Sequence, residues 1–96
     1  MIQATLNGTT IAESDATIVI EGNHYFPPTS IDWDSLEPSD TQSRCPWKGL
    51  ASYYHIVVDG ERSTDAAWTY PEPSEAAKEI KEYVAFWNGV HVEELG

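Results

Sequence analysis

Positive charge is scarce in this chain: five Lys and Arg stand against sixteen Asp and Glu, for a formal net charge of −11. A nucleic-acid backbone rewards clustered cations through counterion release, and an anionic membrane surface favours the same clusters. Five scattered basic residues therefore argue against both partners. Cysteine is nearly missing too. The single Cys45 excludes an internal disulfide and any zinc site built from several thiolates. No apolar run approaches the ~20 residues of a membrane-spanning helix. The stretch Met1 to Asn7 lacks the basic and apolar regions of a signal peptide. Phosphate-cradling glycine loops, internal repeats and low-complexity tracts are absent as well. Together these absences predict a soluble, cytoplasmic protein folded as a single domain over residues 1–96. Its acid excess reads first as a solvated surface.

What is present is apolar and aromatic. Four Trp, five Tyr and two Phe are too many for a disordered acidic tail. A chain of this length buries roughly 60–65% of its unfolded surface, enough for a modest core.

Turn signals divide the chain into short strands. Asn7-Gly8 predicts a hairpin between Ala4–Leu6 and Thr9–Glu13, because both turn residues accept positive φ. The β-branched run from Ala16 to Glu21 leads through Gly22-Asn23 into His24-Tyr25-Phe26, and Pro27-Pro28 stops that strand. Alternation predicts a weaker strand over 31–36, followed by a turn at Glu37-Pro38-Ser39-Asp40. Leu50 to Val58 is the strongest strand, with Tyr53, His55 and Val57 on one face and Tyr54, Ile56 and Val58 on the other. Asp59-Gly60 turns it back into Ala66–Tyr70. Ser74 and Glu75 open a short helix over 74–82 as N-cap and first-turn acid. Val84–Trp87 and Val90–Glu93 then read as a hairpin around Asn88-Gly89. The class is β-rich α+β: antiparallel sheets with one short helix.

Three groups of residues have chemical potential. Cys45 lies one position from Arg44 and three from Lys48, and nearby cations lower a thiol pKa. Against a nucleophilic or redox thiol stands the commoner role of a free Cys as a small buried hydrophobe. Lys48, beside Gly49, can meet an anionic or carbonyl-bearing ligand, or simply pair with a surface carboxylate. Trp68 and Tyr70, two apart, share a strand face, and Tyr53 or Tyr54 from the neighbouring strand completes a three-sided aromatic box. The same residues serve equally as core filling. His24, His55 and His91 with Cys45 make up a four-ligand set in number, without close ligand spacing. The acids Glu13, Asp15, Asp32, Asp34, Asp65 and Glu72 are typical of turns and exposed strand faces. No complete catalytic signature appears, so an enzymatic role has no motif to stand on. No metal or other cofactor is implied.

The blocks Leu36-Glu37-Pro38-Ser39-Asp40, Arg44-Cys45-Pro46-Trp47-Lys48-Gly49, Ala51-Ser52-Tyr53-Tyr54 and Ala67-Trp68-Thr69-Tyr70-Pro71-Glu72-Pro73 resemble the signature blocks of domain-of-unknown-function family 427. The likeness runs from the early hairpin through Tyr25-Phe26-Pro27 to Val84-Ala85-Phe86, with Trp47 where Tyr is usual. The family is mostly bacterial and uncharacterised. A nucleotidyltransferase label is sometimes attached to it, yet this chain has no Gly-Ser motif followed by paired metal-binding acids. The resemblance implies a β-tent-like fold, two antiparallel sheets meeting at a steep angle. The cereblon ligand-binding domain and B-type methionine sulfoxide reductases share that fold. Many such relatives pin the sheets with a four-Cys zinc, for which this chain has only Cys45. They also bind ligands in an aromatic pocket between sheets, a fold-level analogy.

The leading expectation is a metal-free small-molecule binding module, its pocket lined by Tyr53, Trp68 and Tyr70 and edged by Cys45 and Lys48. Two rivals stand beside it: a thiol enzyme or redox protein using Cys45, and an acidic protein-interaction module that dimerises through an exposed strand edge.

Overall fold

In the computed structural model, which describes residues 1–95, paired residues at positive φ mark three of the hairpin turns. Asn7-Gly8 (φ 51° and 80°), Glu21-Gly22 (54° and 81°) and Asp59-Gly60 (52° and 78°) each join neighbouring antiparallel strands. This is the two-residue geometry whose twist matches the strands it connects. The strands are β1 (Ile2–Leu6), β2 (Thr9–Ser14), β3 (Ile18–Ile20), β4 (Asn23–Tyr25), β5 (Leu36–Cys45), β6 (Gly49–Val58), β7 (Glu61–Thr69), β8 (Val84–Phe86) and β9 (His91–Glu94).

They form three sheets among the described residues, where two were expected: β2-β1-β9, the ribbon β3-β4, and β5-β6-β7-β8. All their strand pairings are antiparallel. The ribbon is tied to the edge of the four-stranded sheet. Phe26 N–H donates to Val84 O at 2.8 Å and Val84 N–H to Phe26 O at 2.9 Å. Two apolar clusters flank that sheet. One gathers Leu6, Ile11, Phe26, Ile56, Val58 and Phe86. The other gathers Tyr25, Ala51, Tyr70, Ala77 and Ile80, with Tyr53, Trp68 and Cys45 packed against it. No helix among the described residues is long and apolar enough to cross a membrane.

Four expectations are corrected. Residues 31–36 do not form a strand of their own: Trp33–Ser35 is a 3₁₀ turn, and Leu36 opens β5. The Ser35 hydroxyl donates to Asp32 Oδ2 at 2.9 Å and the Ser35 N–H to Asp32 O at 3.1 Å, local bonds that compete with a sheet ladder. Residues 37–40 lie inside β5, not in a turn. Pro38 is tolerated there because β5 is an edge strand, with its register shifting between Pro38 and Gln42. The helix over 74–82 is reduced to 3₁₀ turns over Glu75–Ile80, broken at Ala77 (φ −121°). Its buried residues, Ala77 and Ile80, are three apart, and a three-residue period aligns them on one side. Finally, the segments flanking Asn88-Gly89 are strands but do not pair with each other: β8 joins β7, and β9 joins β1.

Candidate functional site

The Cys-Pro-Trp-Lys-Gly block is the β5–β6 hairpin connection, with Cys45 paired to Gly49. Gly49 sits at φ 113°, and a Cβ there would come within 3.4 Å of Ser74 N and 3.5 Å of Glu72 O. Glycine lets the loop lie directly against the 72–74 segment. Ser74 N–H donates to Lys48 O at 2.9 Å, and the Ser74 hydroxyl donates to Trp47 O. That hydroxyl was expected to cap a helix; it clamps this loop instead. The clamp turns Lys48 inward, leaving it only 5% exposed.

There Lys48 borders a cavity of about 310 Å³ walled by Asn23, Tyr25, Tyr53, Trp68, Tyr70 and Trp87. Three strands deliver three of the rings, and Tyr70 and Trp87 follow directly on β7 and β8. Tyr53 and Trp68 are cross-strand partners on β6 and β7, and Tyr25 comes from β4. Trp68 Nε1–H donates to the Tyr25 hydroxyl at 3.2 Å, and their rings meet edge to face with centroids 6.2 Å apart. Trp68 also meets Trp87 edge to face at 5.8 Å. Trp87 is held by Nε1–H donating to Asp65 O at 2.6 Å. Such edge-to-face contacts favour ring order over collapse.

The Lys48 ammonium is ion-paired with Glu21 and lies 5.0 Å from the Trp47 ring centroid and 5.7 Å from that of Tyr70. Burial, the largest single influence, would push the Lys48 pKa down, but the hydrogen bond to Glu21 together with the nearby Tyr25, Tyr70 and Cys45 outweighs it and the net shift is upward. The same bond pulls Glu21 below its ordinary value. Lys48 is thus a fixed cation in the cavity wall. Burial raises Tyr25, with the Trp68 hydrogen bond opposing. Burial also pushes Tyr70 up to about 12, against the pull of the Lys48 charge. Because the folded value lies above the unfolded one, the stabilisation from a neutral Tyr70 is present below pH ~10. It fades as pH rises towards 12. Tyrosinate absorbance at 295 nm is expected to show late titration from Tyr25 and Tyr70, with the latest step lost in Tyr70→Phe.

The structure brings Tyr53, Trp68, Tyr70 and Lys48 to one cavity, with Cys45 in the apolar cluster behind it. It also separates Tyr53 from Tyr54: Tyr54 lies on the opposite face, 5.7 Å from Trp33. Tyr25, Trp87, Asn23 and Glu21 were missed. Arg44 is exposed, and the cation felt by the Cys45 thiol is Lys48. The histidines lie apart: His24 Nδ1 is 2.9 Å from Thr17 Oγ1, His55 Nδ1 accepts from Asp65 N–H at 3.0 Å, and His91 Nε2 is 3.2 Å from Glu93. Among the described residues no three or more His, Cys, Asp or Glu gather as metal ligands, so the four-ligand set with Cys45 is not assembled.

A family model described as a domain of unknown function, DUF427, matches residues 1–95. Comparison with curated proteins finds no match.

Proposed function

The chain belongs to the DUF427 family, and from that premise and the cavity's geometry we propose that it is a single-domain small-molecule binding module. The observation that carries this reading is a lysine 5% exposed in the wall of an aromatic cavity. A buried ammonium is costly to desolvate, and one charge-paired on a single side keeps donor capacity for a guest. Flat rings stack or pack edge-on against Tyr25, Tyr53, Trp68 and Tyr70. A carbonyl or anionic group on such a ring accepts from Lys48 Nζ. The fitting ligand is a small planar ring bearing an acceptor. The tent-like arrangement of the two larger sheets belongs to the same reading, supported by the direct passage from β8 to β9 between them. So does a cytoplasmic setting.

Native and denaturing mass spectrometry on gently purified protein tests it. A mass lost on denaturation is the expected result. A bare chain whose melting curve no acceptor-bearing ring moves would overturn the reading.

One observation favours a second reading, a reactive thiol. Burial raises the Cys45 pKa, but the backbone N–H groups of Trp47 and Lys48 and the Lys48 ammonium outweigh it, and the net shift is downward. Thiolate is the nucleophilic form. Iodoacetamide alkylation is expected to reach half-maximal rate below the pH of an ordinary thiol, and Lys48→Met to move that midpoint upward. An ordinary midpoint in the parent protein removes the thiol reading.

A further inference from the structure

β7 has a second face. Trp68 and Tyr70 point towards the aromatic cavity, so Thr69 and Pro71 alternate to the other side. There they border a separate cleft of about 250 Å³, completed by Pro28, Trp33, Tyr54 and Glu82. Nothing in the reading above uses it.

Thr69 is 5% exposed, and its hydroxyl oxygen is the one buried side-chain polar atom without a hydrogen-bond partner among the described residues. Leaving a buried hydroxyl unpaired costs about as much as a lost hydrogen bond, so a native fold retains few of them. The walls above it are rings. Trp33 and Tyr54 meet edge to face at 5.7 Å, and Trp33 is fixed by Nε1–H donating to Pro28 O at 2.9 Å. Trp33 is nevertheless 41% exposed, so the ring is oriented without being covered. At the rim stands Glu82, exposed and in no ion pair among the described residues. It holds φ 65°, a conformation that glycine adopts more cheaply.

We propose that this cleft binds an organic ammonium group. Every polar or π component of the cleft suits a cation that also donates hydrogen bonds. Indole and phenol faces attract cations, the Glu82 carboxylate supplies the countercharge, and Thr69 supplies an acceptor with no competing partner. A staggered rotation about χ1 carries the Thr69 hydroxyl into the place of its methyl, the methyl moving on to that of the hydrogen, and brings the buried oxygen to the guest. The net charge of −11 adds long-range attraction for cations. At ~30 Å³ per water, the cleft holds about eight waters' worth of guest, the size of a short alkylammonium group. The group can arrive on a free amine or on a lysine side chain.

The test is an amide and indole NMR titration of the full chain with n-butylammonium chloride, against potassium chloride at equal ionic strength. Saturable shifts at Thr69, Tyr54 and the Trp33 indole, absent with potassium, are expected, with Trp68 and Tyr53 unmoved. Glu82→Gly is expected to weaken binding at least tenfold while leaving the melting temperature equal or higher, since it relieves the positive φ. Thr69→Val is expected to weaken binding and to raise the melting temperature, because it removes an unpaired oxygen. Equal response to potassium, or undiminished binding in both variants, overturns the proposal. Nα-acetyl-lysine methylamide carries the same group on a peptide unit. Tighter binding of that probe assigns the group to a partner's side chain, tighter binding of butylammonium assigns it to a free amine, and binding of neither overturns the proposal.

Discussion

Lys48→Met is expected to abolish retention of the cavity's ligand while moving the melting temperature by only a few degrees. The side chain is 6% exposed, yet its ion-pair partner Glu21 keeps a side chain 55% exposed. Removing the ammonium therefore returns Glu21 to water and strands no buried charge. Methionine fills nearly the same volume, and a hydrophobe in place of a buried ion is often neutral or better for stability. For a guest accepting from Nζ, the variant loses one charge-assisted hydrogen bond, worth about 1.5–3 kcal/mol. That is a tenfold to hundredfold loss of affinity. Glu21→Gln should behave in the opposite way. It leaves the buried ammonium without its countercharge, so the free protein melts earlier than Lys48→Met. An anionic guest, now the sole countercharge, gains affinity. Thermal melts and tryptophan-fluorescence titrations on the two variants check both halves. A Lys48→Met protein that keeps its ligand, or an unfolded one, would sink the argument.

Phe26→Ala is expected to be the most damaging single truncation in the fold. The ring is fully buried and packs on Phe86 with centroids 5.5 Å apart. Its backbone makes the two hydrogen bonds that attach the β3-β4 ribbon to β8. Deleting a buried Phe costs about 3–5 kcal/mol, which for a domain of this size lowers the melting temperature by roughly 15–30 °C. The consequence extends to the cavity, because the β3-β4 ribbon and its turn carry Glu21, Asn23 and Tyr25. Ligand affinity should fall even where the variant remains folded in the cold. Trp87→Ala is the contrast: that ring is 48% exposed, so a cavity wall is lost at small cost in stability. Urea unfolding at low temperature ranks the two. Equal midpoints would show that the ribbon's attachment does not depend on Phe26.

Local chemistry was legible wherever the deciding interaction is local. The Asn7-Gly8 and Asp59-Gly60 turns need positive φ, which those residue types supply, and both hairpins formed. Trp68 and Tyr70 share a face because a strand has a period of two, and both border one cavity. The reading failed where partners from elsewhere decide. Asn88-Gly89 carries the same turn signal and the same positive φ, at 50° and 98°. Its flanking strands nevertheless join β7 and β1, sheet edges contributed by segments remote in sequence that the turn signal does not report. Ser74 looked like a cap, but the Trp47 carbonyl lay within reach. Tyr25, Trp87 and Glu21 could not be assigned to the cavity from sequence, since each reaches it from an element far along the chain. The exception is instructive: register alone placed Tyr53 apart from Tyr54, yet only the course of β7 decides which of them meets Trp68.

The pairing of β1 with β9 also has a temporal side. Ile2 lies opposite Glu94, and Leu95 N–H donates to Met1 O at 2.7 Å. β1 therefore waits for β9, far along the chain, before its outer edge is covered. Until then β1 and β2 stand as a hairpin whose β1 edge is bare, marginal in water by itself. Closure of this sheet thus cannot precede synthesis of β9, and the interval before it is when a chaperone or a second nascent chain can reach that edge.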